Sequence, residues 1–207
     1  MVVKVEPLKY AIIETDHGSM TAGFYYDVAP NTVTNFLTLA EGGFFDGLSF
    51  HRIVPGFVIQ GGDPKNDTEG GPGYAIDAEF NDRPHIAGAL SMAREGDPIE
   101  RQGAMPRSEA ANSAGSQFFI ALDYKTTKRL DGRYTVFGRV TEGLDVLQKL
   151  GSVEIANPAT GQPRQPQLIR RVRIENVTSE NNPYLTLFAV GGGPATAPAT
   201  RPAGGNR

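Results

Sequence analysis

The most distinctive stretch of the chain is Phe50-His51-Arg52-Ile53-Val54-Pro55-Gly56-Phe57-Val58-Ile59-Gln60-Gly61-Gly62-Asp63, where an arginine sits inside an apolar, strand-like run. A guanidinium stays charged and offers several donors in a fixed fork, so Arg52 is suited to electrostatic stabilisation rather than nucleophilic attack. The plainer alternative is a surface ion pair with its aliphatic stem laid along apolar surface. A second run, Asn112-Ser113-Ala114-Gly115-Ser116-Gln117-Phe118-Phe119-Ile120, sets amides and hydroxyls ahead of two phenylalanines, as a core strand with a polar entry loop would. Other chemistries lack their residues. His17, His51 and His85 share no metal-ligand spacing, and no Gly-x-Ser-x-Gly elbow occurs. The glycine-rich stretch Gly61 to Gly73 has neither a Gly-Lys-Ser/Thr ending nor a helical pattern after it, so it reads as turns rather than a phosphate cradle. Zero cysteine excludes thiolate nucleophiles, disulfides and thiolate metal sites.

These groups need a scaffold, and the chain reads mostly as short strands. Candidates are Tyr10–Thr15, Ser19–Phe24, Ser49–Val54, Val58–Gly61, Gly88–Ala93, Gln117–Leu122, Thr135–Val140 and Gln167–Val177. Asp16-His17-Gly18 reads as a three-residue hairpin turn between the first two. Two segments have helical periodicity. In Thr32–Glu41, Val33, Phe36, Leu37 and Ala40 form one stripe, with Asn31 as the expected N-cap and Gly42-Gly43 as the stop. In Glu142–Leu150, Leu144, Leu147 and Leu150 repeat, with Gly151 ending the pattern. About eight turn-punctuated strands and two helices predict a mainly β fold: an eight-stranded closed antiparallel barrel with a helix over each end.

The 25 glycines and 15 prolines of this 207-residue chain fit many turns, and part of them falls in residues 191–207, expected to be a flexible Gly/Pro/Ala-rich tail. Residues 181–190 form a short apolar extension that could dock on the preceding domain, 1–180. The net charge of −3 argues against nucleic acid and anionic membrane surfaces as partners. The opening MVVKVEPLKY shows no apolar signal region, and no run approaches the length of a membrane span, so a cytoplasmic monomer is expected.

Four motifs in order, Phe50–Asp63, Leu90-Ser91-Met92-Ala93, Gly115–Ile120 and Leu130-Asp131-Gly132 with Val136-Phe137-Gly138, make residues 8–178 resemble the cyclophilins, the cyclosporin-binding class of peptidyl-prolyl cis/trans isomerases. The resemblance implies a barrel capped by two helices, proline-containing peptides and proteins as substrates, assistance to folding, and no cofactor. It also assigns roles. Arg52 matches the catalytic arginine, and Gln60 the side chain orienting it. Phe57, Val58, Met92, Phe119 and Leu130 match the wall of the proline pocket, although Met92 fits the core equally well. The backbone of Arg94, where the family usually has Asn, would hold the residue before proline. Ala93 and Gln117 would line the same groove, and Tyr134 would close the pocket.

The chain departs from that pattern at three places. Arg129 stands where many eukaryotic members carry Trp, which implies weak cyclosporin binding. Tyr134 stands in place of a His, as in bacterial members. An insertion, Ile99–Ala110, borders the expected groove. Its Glu100, Arg101, Arg107 and Glu109 could select substrate charge, or simply form a solvated loop.

Overall fold

The computed structural model describes residues 8–189. The N-terminal residues 1–7 and the segment 190–207, which contains the expected tail, lie outside the described residues. In chain order the elements are β1 (Lys9–Thr15), β2 (Gly18–Phe24), α1 (Pro30–Glu41), β3 (Arg52–Val54), β4 (Val58–Gly61), β5 (Ala89–Met92), α2 (Ser108–Ala111), β6 (Phe118–Ala121), α3 (Tyr124–Thr127), β7 (Val136–Glu142), α4 (Leu144–Gly151), β8 (Ile155–Asn157), β9 (Gln162–Pro163), β10 (Ile169–Asn176) and α5 (Tyr184–Ala189). Each of the eight strands expected from the sequence is present. The first hairpin is tighter than expected: Gly18 already pairs with Thr15, leaving Asp16 and His17 as the loop.

The eight strands form one antiparallel sheet in the order β10-β1-β2-β7-β5-β6-β4-β3, and β8 and β9 form a separate hairpin. The barrel is therefore open, not closed as the strand count suggested: β3 and β10 are edges. The reason is local. Residues 47–50 meet the entry to β10 through Gly47 N to Ile169 O, Ile169 N to Leu48 O and Phe50 N to Gln167 O, each 2.8 Å, with one isolated bridge at Ser49 and Leu168. Beyond that point the free edge of β3 is taken by the small hairpin, because Ile53 N donates to Gly161 O at 2.7 Å. Gly161 has φ +76°, and a Cβ there would lie 2.9 Å from Ile53 O and 3.1 Å from Arg52 Cγ, so only glycine admits this approach.

Phenylalanine fills the interior in place of tryptophan. Phe36 of α1 stacks on Phe45 at 4.9 Å and meets Phe118 and Phe137 at 5.4 and 5.3 Å, and all four rings are buried. Val33 and Ala40 are buried beside Phe36, as the helical stripe predicts. In α4, Val146, Leu147 and Leu150 are buried while Leu144 is exposed. After β10 the chain packs back on the sheet: the Tyr184 hydroxyl donates to Lys9 O and accepts from Phe24 N, and Leu187 is buried against Gly23.

The α1 N-terminus differs from expectation. The N-cap position is Ala29, with Pro30 opening the helix, and Asn31 lies inside it. Glu79, from a distant loop, takes the capping role: its carboxylate accepts from Asn31 N (3.0 Å), Thr32 N (2.8 Å) and Thr32 Oγ1 (2.7 Å). A carboxylate here satisfies otherwise orphaned donors and complements the helix dipole. Substituting Glu79→Ala removes all three hydrogen bonds, and a loss of about 1–2 kcal/mol is expected, read as a lower urea midpoint at constant slope; an unchanged midpoint would show that the cap contributes nothing.

Candidate active site

Strand pairing puts the first two candidates side by side. Arg52 of β3 is directly opposite Gln60 of β4, and Ile53 and Ile59, the pair next to them, are buried in the core. Alternation thus turns Arg52 and Gln60 to the other face, where both are half-buried. A chain of donors follows. Arg52 Nη1 donates to Gln60 Oε1 (3.2 Å), Gln60 Nε2 to Gln117 Oε1 (2.9 Å), and Gln117 Nε2 to Thr68 O and Gly70 O (2.9 and 2.8 Å). Each amide is fixed in orientation by the next acceptor. No carboxylate pairs with Arg52 among the described residues, so its remaining N–H groups stay available. Burial lowers the guanidinium below its ordinary value, but arginine remains charged at neutral pH.

These donors open on a cavity of about 500 Å³, lined on one side by Phe57, Val58, Phe119, Leu130 and Tyr134. Phe119 is opposite Gln60 in the β4–β6 register, which aligns ring and amide. Tyr134 meets Phe119 edge-on at 5.7 Å, and His85 stacks behind Phe119 at 5.8 Å. His85 is itself held, with Nδ1 2.9 Å from Asp131 Oδ1 and Nε2 3.1 Å from Ser91 Oγ. Asp131, His85 and Ser91 thus stand in the order of a hydrolytic triad, yet Ser91 and His85 are wholly buried and Ser91 Oγ also bonds Thr135 O. No substrate atom reaches that hydroxyl; the cluster props the aromatic wall.

The site thus sets a half-buried cation beside an apolar wall. Residues 10–178 match the family model described as cyclophilin type peptidyl-prolyl cis-trans isomerase/CLD. The chain belongs to this family. Its activity is that of the family, cis/trans isomerisation of peptidyl-prolyl bonds. A peptidyl-prolyl cis-trans isomerase of Synechococcus elongatus is 45% identical over 142 residues, covering 68% of this chain and 87% of the relative. Peptidyl-prolyl cis-trans isomerase B of Bacillus subtilis is 41% identical over 148 residues, covering 70% and 92%. Among solved structures, a Cryptosporidium parvum cyclophilin-type isomerase, solved in the presence of the dipeptide Ala-Pro, superposes with a TM-score of 0.70 at 28% identity, covering 81% of this chain and 99% of that one.

Within this cyclophilin-type site, the structure gathers Arg52, Phe57, Val58, Gln60, Ala93, Arg94, Phe119, Leu130 and Tyr134 around one cavity. Gln117 lines an adjoining polar cavity and reaches the first through Gln60. Met92 lines neither; it is 3% exposed and packs in the core. The inserted segment is folded rather than loose. Asp97 and Glu100 form a capping box on a 3-10 turn at Pro98–Gln102, and Arg107 binds Asp97 through its Nε, Nη2 and backbone N. Those hydrogen bonds hold the Asp97 carboxyl well below the usual carboxylate range. Glu100 grips Arg94 with both oxygens (2.7 and 3.0 Å), and the Arg94 guanidinium lies 4.3 Å over Tyr134. The insertion is thereby part of the pocket wall. Glu100, Arg101, Arg129 and Arg133 line the cavity as well. The sequence flagged the first two as charges that select substrate or merely coat a loop, and it did not single out Arg133 or the His85–Asp131 pair.

Burial pushes the His51 and His85 imidazoles below 6.5, outweighing Asp63 near the first and Asp131 beside the second. Neither ring nitrogen of His51 has a hydrogen-bond partner among the described residues. With folded values depressed, the unfolded chain binds more protons below pH 6.5, so these groups leave stability intact above that pH and erode it as pH falls further. Urea midpoints should be flat from about pH 7 to 8.5 and decline from about 6.5 downward, with a shallower decline in His51→Gln; equal slopes for both proteins would remove His51 from this account.

Proposed function

We propose that Arg52 drives the isomerisation by donating to the prolyl nitrogen of a twisted Xaa-Pro bond. The carrying observation is the relay Arg52–Gln60–Gln117, which fixes a charged guanidinium beside an apolar cavity without a carboxylate to consume it. Rotation about the C–N bond costs about 18–20 kcal/mol because amide resonance is lost. In the twisted state the nitrogen lone pair is localised and accepts a hydrogen bond that neither planar ground state can accept. Arg52 therefore binds the transition state better than cis or trans. A 10⁵-fold acceleration would take about 7 kcal/mol, more than one donor supplies. Phe57, Phe119 and Leu130 grip the ring, Tyr134 closes over it, and Gln60 with the backbone at Ala93 and Arg94 fixes the flanking chain, lowering the entropic cost of reaching the twisted geometry.

The same reading makes the protein a monomeric folding assistant acting on proline-containing chains in the cytoplasm, in keeping with its lack of cysteine. It also makes cyclosporin a poor ligand. Arg129 places a guanidinium 4.7 Å over the Phe57 ring, where an indole would offer a stacking surface and an N–H donor.

Two-dimensional exchange NMR on an Ala-Pro peptide should show catalysed exchange with the wild type and a loss of about 10²–10³-fold for Arg52→Ala; exchange undiminished in the variant would remove the assigned role of Arg52. Cyclosporin should inhibit only well above nanomolar concentrations, and nanomolar inhibition would refute the consequence drawn for Arg129.

A further inference from the structure

The cavity carries more positive charge than isomerisation requires. Five arginines line it, Arg52, Arg94, Arg101, Arg129 and Arg133, against one carboxylate, Glu100, in a chain whose net charge is −3. The single carboxylate is already committed: Glu100 is bidentate on Arg94, whose side chain is 2% exposed, so that pair is an internal neutral unit. Arg133 spends Nη1 and Nη2 on the carbonyls of Ala104 and Gly103 (2.6 and 2.8 Å). Arg101 and Arg129 differ. Both are exposed, and neither has a hydrogen bond or an ion pair among the described residues. Arg129 is nevertheless fixed in place by the Phe57 face at 4.7 Å, which leaves its N–H edge free.

We propose that this site selects Xaa-Pro segments bearing a carboxylate side chain close to the proline, with Arg129 and Arg101 as the residues that read it. The proposal rests on the isomerase reading of the cavity and adds a substrate class to it. A guanidinium presents a planar fork matched to a carboxylate, and one pre-stacked on a ring loses little freedom on pairing. Phe57 and Leu130 line the same cavity, and their apolar surface lowers the local dielectric for a carboxylate seated there. Lysine in the same substrate position would face the unpaired guanidiniums and be disfavoured. The insertion contributes Arg101 directly, and through Glu100 it neutralises Arg94 so that the surplus charge is concentrated at the outer rim.

The test is a set of Ala-Pro peptides with Glu, Gln or Lys placed once before and once after the dipeptide. Exchange rates and dissociation constants are measured by NMR at low and high salt. At low salt the Glu peptide should exceed the Lys peptide in kcat/KM by about three- to tenfold in at least one placement, the gap closing in about 0.5 M salt. The Arg101→Glu/Arg129→Glu double variant should invert the Glu-to-Lys ratio. Equal values for Glu and Lys peptides at low salt in both placements, or a ratio the double variant leaves unchanged, would overturn the proposal. If no peptide were accelerated, the isomerase reading would fail instead, and the dissociation constants alone would still decide the charge preference.

Discussion

The proposed mechanism depends on keeping one guanidinium, that of Arg52, charged, half-buried and free of an ion pair. A carboxylate beside Arg52 would hold it more firmly but would take the donors that this mechanism offers to the twisted amide. The fold supplies neutral partners instead. Gln60 accepts from Arg52, Gln117 accepts from Gln60, and two loop carbonyls end the chain, so the cation is oriented by dipoles that leave its charge uncompensated. The β4–β6 register then sets Phe119 against the same amide, and one ladder aligns both the polar and the apolar halves of the pocket.

The apolar half has its own support. Phe119 is backed by His85, His85 by Asp131 and Ser91, and Tyr134 by the Arg94 guanidinium that Glu100 anchors. Buried polar networks of this kind are costly when incomplete and stiff when complete. Stiffness is useful here, because a pocket that narrows the geometry of a rotating bond cannot itself be soft.

Much of this was legible in the sequence, for identifiable reasons. β10 sets the apolar Val172 and Ile174 between charged residues, and the stripe Val33, Phe36, Ala40 repeats with the helical period, so existence and type of these elements are local properties. Arg52, Gln60 and Phe119 sit in runs specific enough to mark a family. What escaped is long-range. Glu79 caps a helix 47 residues upstream of it, and His85 meets Asp131 across 46 residues, neither with any spacing signature. Met92 was ambiguous because β5 is buried at all four positions, so alternation cannot say which side faces the cavity. The Asp97-to-Glu100 capping box, by contrast, was a local signal in plain view that the insertion could fold. Strand counting implied closure, whereas the pairing of residues 47–50 with the entry to β10 stops short of β3, whose edge meets Gly161 instead.

That seam has a consequence for how such a protein can change. Arg52 lies on an edge strand, and the element flanking it is not a neighbouring ladder but the tip of the β8–β9 hairpin, whose glycine touches Ile53 and the Arg52 stem. Changes in the length or sequence of this hairpin would therefore reach the seat of Arg52 from outside the pocket. The hairpin can serve as an adjustment point for drift or engineering, leaving every residue that lines the cavity as it was.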